Sequence, residues 1–303
     1  MVSGLRCNPK FVLLPLLVGR MWWWQREVKS KPEEAVLRSI AFMNQKGGVG
    51  KTTCVANLGA ALARRGLRVL LVDIDPQANL SLHFNVDIHH LEQSIYTVMV
   101  GQSTAQEATL FDVVPGIAIM PSNIDLSGAE IELVNAVGRE TILRTALEPL
   151  IAEEGFDFVL FDCPPSLGLL SLNALTSARE VFIPLQTQFF ALQGMTRLTE
   201  VIDLIRTRIG HDVEVTGIVP TLYDTRTRLS QEVVQEIRDF FQDRVFETVV
   251  HTNVKLAESP SHGQTIFDYA PDSRGAQDYE ALASEILERG LVQGGIRPVS
   301  ISE

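Results

Sequence analysis

A chain of 303 residues, 46% hydrophobic and 21% charged, has the make-up of a soluble globular protein of one large or two small domains. Its net charge of −11 excludes a uniformly basic nucleic-acid binder. Three well-separated cysteines, Cys7, Cys54 and Cys163, form no Cys-x-x-Cys pair, which argues against a disulfide framework or a structural zinc site and fits a reducing cytoplasm.

Residues 1–38 read apart from the rest. Phe11 to Val18 is an apolar run broken by Pro15, preceded by Arg6 and Lys10 and followed by Trp22-Trp23-Trp24 and a charged stretch. It is too short to span a bilayer, and no small-residue cleavage site follows it. The expectation is a poorly ordered extension, of the kind a start site placed too far upstream would add, then a single domain over 39–291 and a flexible tail over 292–303.

The first strong signal follows. Ser39-Ile40-Ala41-Phe42-Met43 has strand character, Asn44 to Thr53 reads N-Q-K-G-G-V-G-K-T-T, and Cys54 to Arg65 has the Ala and Leu spacing of a helix. A strand, a glycine loop and a helix in that order bind phosphate, because glycines let backbone N–H groups converge and the helix N-terminus adds partial positive charge. Gly47, Gly48, Val49, Gly50, Lys51, Thr52 and Thr53 are the expected cradle, with Lys51 on the outer phosphates and the Thr52 hydroxyl available to Mg²⁺. The ordinary pattern has glycine where Gln45 stands, so this is a variant. Its additional lysine, Lys46, is too close to the loop to fold back onto its own nucleotide and could reach one held by a facing subunit.

Beyond the loop, apolar strand-like runs at 68–73, 117–120, 156–162, 181–185 and 213–219 alternate with helical stretches at 50–65, 126–152 (broken near Gly138), 168–178, 190–208, 229–242 and 275–289. Near-continuous apolar strands imply burial on both faces. The expected fold is α/β: a mostly parallel twisted sheet with helices on both sides and ligands at the carboxyl ends of its strands. Two more strand ends carry acids. In Asp73-Ile74-Asp75-Pro76-Gln77, Asp75 is the better placed to orient an attacking water; in Asp162-Cys163-Pro164-Pro165-Ser166, Asp162 is the second anchor for Mg²⁺. Cys163 reads as a small packing residue.

With these motifs in hand, the chain resembles the deviant Walker A P-loop ATPases, and among them the short Soj/ParA-type chromosome or plasmid partitioning ATPases. The likeness runs from about Arg38 to about Leu291 and includes Asn253-Val254-Lys255-Leu256-Ala257-Glu258-Ser259-Pro260-Ser261-His262-Gly263 and Ser273-Arg274-Gly275-Ala276, which nucleotide-binding proteins at large do not share. The resemblance implies an ATPase using ATP and Mg²⁺, with Lys46 touching the partner subunit's nucleotide, Lys51 and Thr52 at phosphate and metal, Asp75 required for hydrolysis and Asp162 on the metal side. It further implies an ATP-dependent homodimer on non-specific double-stranded DNA through Arg226 and Lys255, a ParB-like centromere-binding protein that stimulates hydrolysis, no membrane, and a cytoplasmic, nucleoid-associated location.

Two departures stand out. His251-Thr252 replaces a frequent Pro-Arg, and Gln188 and Gln193 stand where the family commonly has carboxylates. Residues 1–38 hold seven Lys/Arg and three Asp/Glu, leaving −15 on the remainder, so DNA binding requires a local patch assembled by dimerisation and is expected to be salt-sensitive. A MinD-like membrane-positioning ATPase is the alternative, but the last helical stretch is acidic rather than basic. An iron-protein reductase needs two cluster cysteines per subunit, and a small-molecule kinase needs a lid insertion; neither is evident.

Overall fold

The computed structural model describes residues 37–188 and 195–294. The expectations for the amino-terminal extension, for Gln193 and for the last residues of the tail lie outside them. Seven strands form one sheet: β1 (Arg38–Phe42), β2 (Val69–Asp73), β3 (Leu110–Val114), β4 (Ile117–Met120), β5 (Phe158–Asp162), β6 (Glu180–Gln186) and β7 (Glu214–Thr221), in the order β3-β4-β2-β5-β1-β6-β7. All neighbours run parallel except β3, which is antiparallel to β4.

Side chains alternate between two cores because a strand repeats every two residues. Leu70 and Val72 of β2 join one apolar cluster, while Val69 and Leu71 join the other, and β1 divides Ala41 from Ile40 and Phe42 in the same way. Helices therefore cover both faces. On one side lies α1 (Lys51–Arg64), against which the C-terminal helix Arg274–Gly294 packs: its Tyr279, Leu282 and Ile286 are fully buried, and Arg65 donates to Ser284 Oγ at 2.6 Å and to the Glu280 carbonyl at 2.9 Å. The apolar face of that last helix is thus spent on the core.

Strand β3 goes beyond the expected set. It sits at the sheet edge, half exposed, with a register shift and Asp112 at φ 53°, features that keep an edge from pairing onward and also dilute its apolar signal. The long helical stretch expected over 126–152 is two helices, Leu126–Glu132 and Ile142–Glu154, parted at Gly138 with φ 70°.

The register decides where chemistry converges. Asp162 pairs with Phe42 across β5 and β1 and with Asp73 across β5 and β2, so three strands far apart in sequence end level with one another.

Candidate functional site

From the end of β1 the chain enters the glycine loop, which side chains and backbone hold from several directions. Asn44 Nδ2 donates to the Pro184 carbonyl at 2.8 Å, Asn44 Oδ1 accepts from the Lys46 N–H at 2.9 Å, and Thr221 Oγ1 donates to the Val49 carbonyl at 2.8 Å. Gly48 and Gly50 have φ 71° and 91°, values that only glycine adopts without strain. A Cβ at Gly47, Gly48 or Gly50 would meet nothing within 4 Å, because the loop opens onto a cavity of about 940 Å³. Helix α1 begins beneath it with no side-chain cap and no acid in its first turn, leaving its N–H groups and positive dipole end for an anion.

Lys51 is only 8% exposed, and its Nζ donates to the Asn44 carbonyl at 3.2 Å without meeting a carboxylate at salt-bridge distance among the described residues. Below it, Asp162 is buried, and both of its carboxylate oxygens lack a hydrogen-bond partner. Burial first, then the neighbouring Asp73 charge, push its pKa well up, while the Thr52 hydroxyl and Lys51 oppose the rise. An orphaned, hard-oxygen carboxylate beside a threonine hydroxyl fits Mg²⁺, which keeps most of its waters and takes few protein ligands. No cluster of three or more His, Cys, Asp or Glu residues forms a closed metal cage among the described residues.

The two acids after β2 divide their roles. Asp73 is fully buried and accepts from Ser81 N at 2.9 Å, Ser81 Oγ at 2.7 Å and Asp75 N at 3.3 Å; it pins the turn, and burial raises its pKa. Asp75 is half-buried, lines the cavity, and uses one oxygen to accept from Gln77 N at 3.0 Å. The carboxylate left for a ligand is that of Asp75.

The remaining expected residues lie at the rim. Lys46 is exposed, with Nζ 3.5 Å from Gln188 Oε1. Arg226 is 85% exposed but makes two bonds to the Asp224 carboxylate, 2.9 and 2.8 Å, holding that acid down to about pKa 2. Lys255 pairs with Glu258 at 2.9 Å and lies 5.5 Å from the Tyr269 ring centroid. His251, at the Pro-Arg departure, is bound to the buried Asp278 at 2.9 Å, as is Arg274 at 3.1 Å.

Sequence reading missed Leu222 and Val250 in the wall of the cavity; Leu256, from the Asn253–Gly263 stretch quoted above, and His251 line it with them. Leu222 and Asn85, both lining it, have φ 52° and 56°, strained conformations that cluster at binding sites. No local sequence pattern announces a leucine in that conformation. Cys54 and Cys163 are buried thiols with strongly raised pKa values, neither a nucleophile nor a cluster ligand.

Residues 37–215 match a family model described as an AAA domain. The chain is 43% identical over 251 residues to the sporulation initiation inhibitor protein Soj of Bacillus subtilis (strain 168), spanning 83% of this chain and 98% of that protein. It is 43% identical over 253 residues to the chromosome partitioning protein ParA of Caulobacter vibrioides (strain NA1000 / CB15N), spanning 84% and 95%. Among solved structures, cobyrinic acid a,c-diamide synthase from Mycobacterium smegmatis with bound ATP analog and magnesium is similar at TM-score 0.74 and 36% identity, over 88% of this chain and 100% of that one.

Proposed function

The chain belongs to the ParA/Soj family of partitioning ATPases, and from that premise we propose that ATP drives it into a sandwich dimer that binds duplex DNA without sequence preference. It is an ATPase that uses ATP and Mg²⁺. The observation that carries the reading is the level ending of β1, β2 and β5, which gathers an uncapped helix, a carboxylate-free Lys51 and the open Asp75 around one cavity, with Asp162 buried next to Thr52 behind it.

In this reading the loop N–H groups of Gly47 to Thr53 and Lys51 Nζ hold the phosphates. Thr52 and Asp162 hold Mg²⁺, which when bound adds positive charge at the β- and γ-phosphates. Asp75 orients the attacking water. Lys46, exposed and facing the neutral Gln188 amide among the described residues, reaches the nucleotide of a facing subunit, so the dimer is stable only while phosphates are present. Arg226 and Lys255 of two subunits then contact DNA phosphates; hydrolysis, stimulated by a ParB-like partner, releases the protein and leaves a gradient that DNA cargo follows. A cytoplasmic, nucleoid-associated protein would follow.

The membrane-positioning alternative loses support from packing. The C-terminal helix buries Tyr279, Leu282 and Ile286 against α1, and no helix among the described residues is long and apolar enough to cross a membrane. The proposal is tested by solution mass and DNA binding of Asp75→Ala protein with ATP and Mg²⁺, alongside Lys46→Ala, Asp75→Ala. A nucleotide-dependent dimer that binds DNA, lost in the double variant, is expected; dimerisation indifferent to Lys46, or DNA binding indifferent to nucleotide, overturns it.

A further inference from the structure

A second cavity, of about 850 Å³, opens at the end of the sheet opposite the glycine loop. Its walls include Arg38 where β1 begins, Arg179 and Glu180 where β6 begins and Thr216 near the start of β7. Among the described residues it shares no lining residue with the cavity at the glycine loop. One side is a helix face: in Ile142–Glu154, Arg144, Leu147 and Ile151 stand at the i, i+3, i+7 spacing that brings residues to the same side. The volume is that of a site for a small organic molecule.

The polar groups of this cavity divide into those already satisfied and those that are not. Glu180 accepts from Arg38 Nε and Nη2 at 2.7 Å each and from Thr216 Oγ1 at 2.8 Å, and Arg38 Nη1 donates to the Ile286 carbonyl at 2.8 Å. Ser177 Oγ donates to the Asn173 carbonyl and His211 Nε2 to the Ala178 carbonyl, both at 2.7 Å. Arg144 and Arg179 differ: among the described residues neither guanidinium has an ion-pair partner or a hydrogen-bond acceptor. Arg144 Nε is moreover buried, so a charged donor is out of water with its bond unmade, which costs free energy until an acceptor arrives.

The remaining lining carboxylate, Glu148, sits one turn along from Arg144 and forms no salt bridge among the described residues. With Arg38 and Glu180 cancelling, two guanidiniums against one carboxylate leave the cavity positive, in a chain whose net charge is −11.

We propose that this cavity binds a small organic anion, its phosphate or carboxylate head held by Arg144 and Arg179 and its apolar body against Leu147 and Ile151. A guanidinium presents paired N–H donors that match either head, and neither arginine gives up an internal partner to bind it. A phosphate monoester, as a dianion, gains most from two cations and is the preferred head. The site is separate from the glycine loop, whose Lys51 and uncapped helix lie at the other ends of the strands, so the two can be filled together.

The test is calorimetry of 1-naphthyl phosphate on the full chain saturated with ADP and Mg²⁺, so that the glycine loop is already occupied. Saturable binding is expected, with singly charged 1-naphthoate several-fold weaker and neutral 1-naphthol about tenfold weaker or more. Arg144→Gln and Arg179→Gln should each weaken 1-naphthyl phosphate about tenfold, since each removes a charge-assisted donor. Glu148→Gln, which removes the nearby negative charge, should tighten it about two- to threefold. All of these variants should hydrolyse ATP as the wild type does and melt no lower, because none of the altered side chains has an internal polar partner among the described residues. Lys51→Ala protein without ADP should bind the probe as tightly as wild type, which separates this cavity from the nucleotide reading. Equal binding of 1-naphthol, no saturable binding of the phosphate up to millimolar concentration, or an Arg144→Gln, Arg179→Gln double variant that binds like the wild type overturns the proposal. So does displacement of the bound probe by ADP.

Discussion

Two groups of cations in this molecule look alike in sequence and differ in what they leave for a ligand. Lys51 and Lys46, on the glycine loop, face a backbone carbonyl and a neutral amide, whereas Arg226 and Lys255, on the outer rim, each face a carboxylate from their own segment. The loop cations keep their full attraction for phosphate. The rim cations must first give up a partner, so their net gain on DNA is a small difference between two solvent-screened ion pairs. A charge counts toward binding only to the extent that its neighbours have not already taken it.

The largest effect belongs to the buried loop lysine. Lys51→Ala should weaken ATP binding by about 2 to 3 kcal/mol, roughly 100-fold, because it removes a charge-assisted hydrogen bond from a partly dehydrated site. Calorimetry with ATP and Mg²⁺ decides it; a weakening under threefold would put Lys51 among the rim cations.

Asp162 is the buried acid behind the loop, and its removal should act in opposite directions on the empty and loaded protein. Its folded pKa lies above the unfolded value of 3.8, so the folded state binds the extra proton and stability contributed by this group falls as pH rises from about 4 upward. Asp162→Asn should therefore raise the melting temperature of nucleotide-free protein at neutral pH and flatten that fall, while weakening Mg²⁺-dependent nucleotide binding about tenfold. His83, pushed down to about pKa 4 by burial, has the reverse dependence between pH 4 and its unfolded 6.5, and it cancels in the difference between variant and wild type. A variant that melts lower than wild type at neutral pH would refute this account of the buried acid.

Gln188→Glu turns Lys46 into a paired cation like those of the rim. ATP-dependent dimerisation of the Asp75→Ala protein should weaken a few-fold, about 0.5 to 1 kcal/mol, measured as the concentration at half-dimer. Unchanged association would show that Lys46 is not limited by its neighbour.

The smallest effect is the converse change at the rim. Asp224→Asn frees Arg226 and should strengthen ATP-dependent DNA binding about two- to fivefold, whereas Arg226→Ala should lower the slope of log affinity against log salt by about 0.9 for each DNA phosphate it no longer neutralises. DNA binding that ignores both changes would remove Arg226 from the surface.

Much of the site was legible because its pieces are local. The glycine loop needs consecutive residues, and an acid at the end of an apolar strand can be seen one strand at a time, so Lys51, Asp75 and Asp162 could be named as candidates without coordinates. Asp75 was preferred to Asp73 from the sequence, yet only folding shows that Ser81 claims Asp73. The acids that pair with Arg226 and Lys255 lie two and three residues away, but Tyr269, which sits over Lys255, and Asp278, which takes His251, come from distant segments.

The sequence by itself determined the architecture and the phosphate loop, since both follow from the period of apolar residues and from the conformations open to glycine. Only the tertiary structure decided which charges remain unspent. Register across β1, β2 and β5 buries Asp162 beside Asp73, and packing sets Tyr269 over Lys255 and Asp278 against His251; both depend on distances between segments, and charges interact through space rather than along the chain.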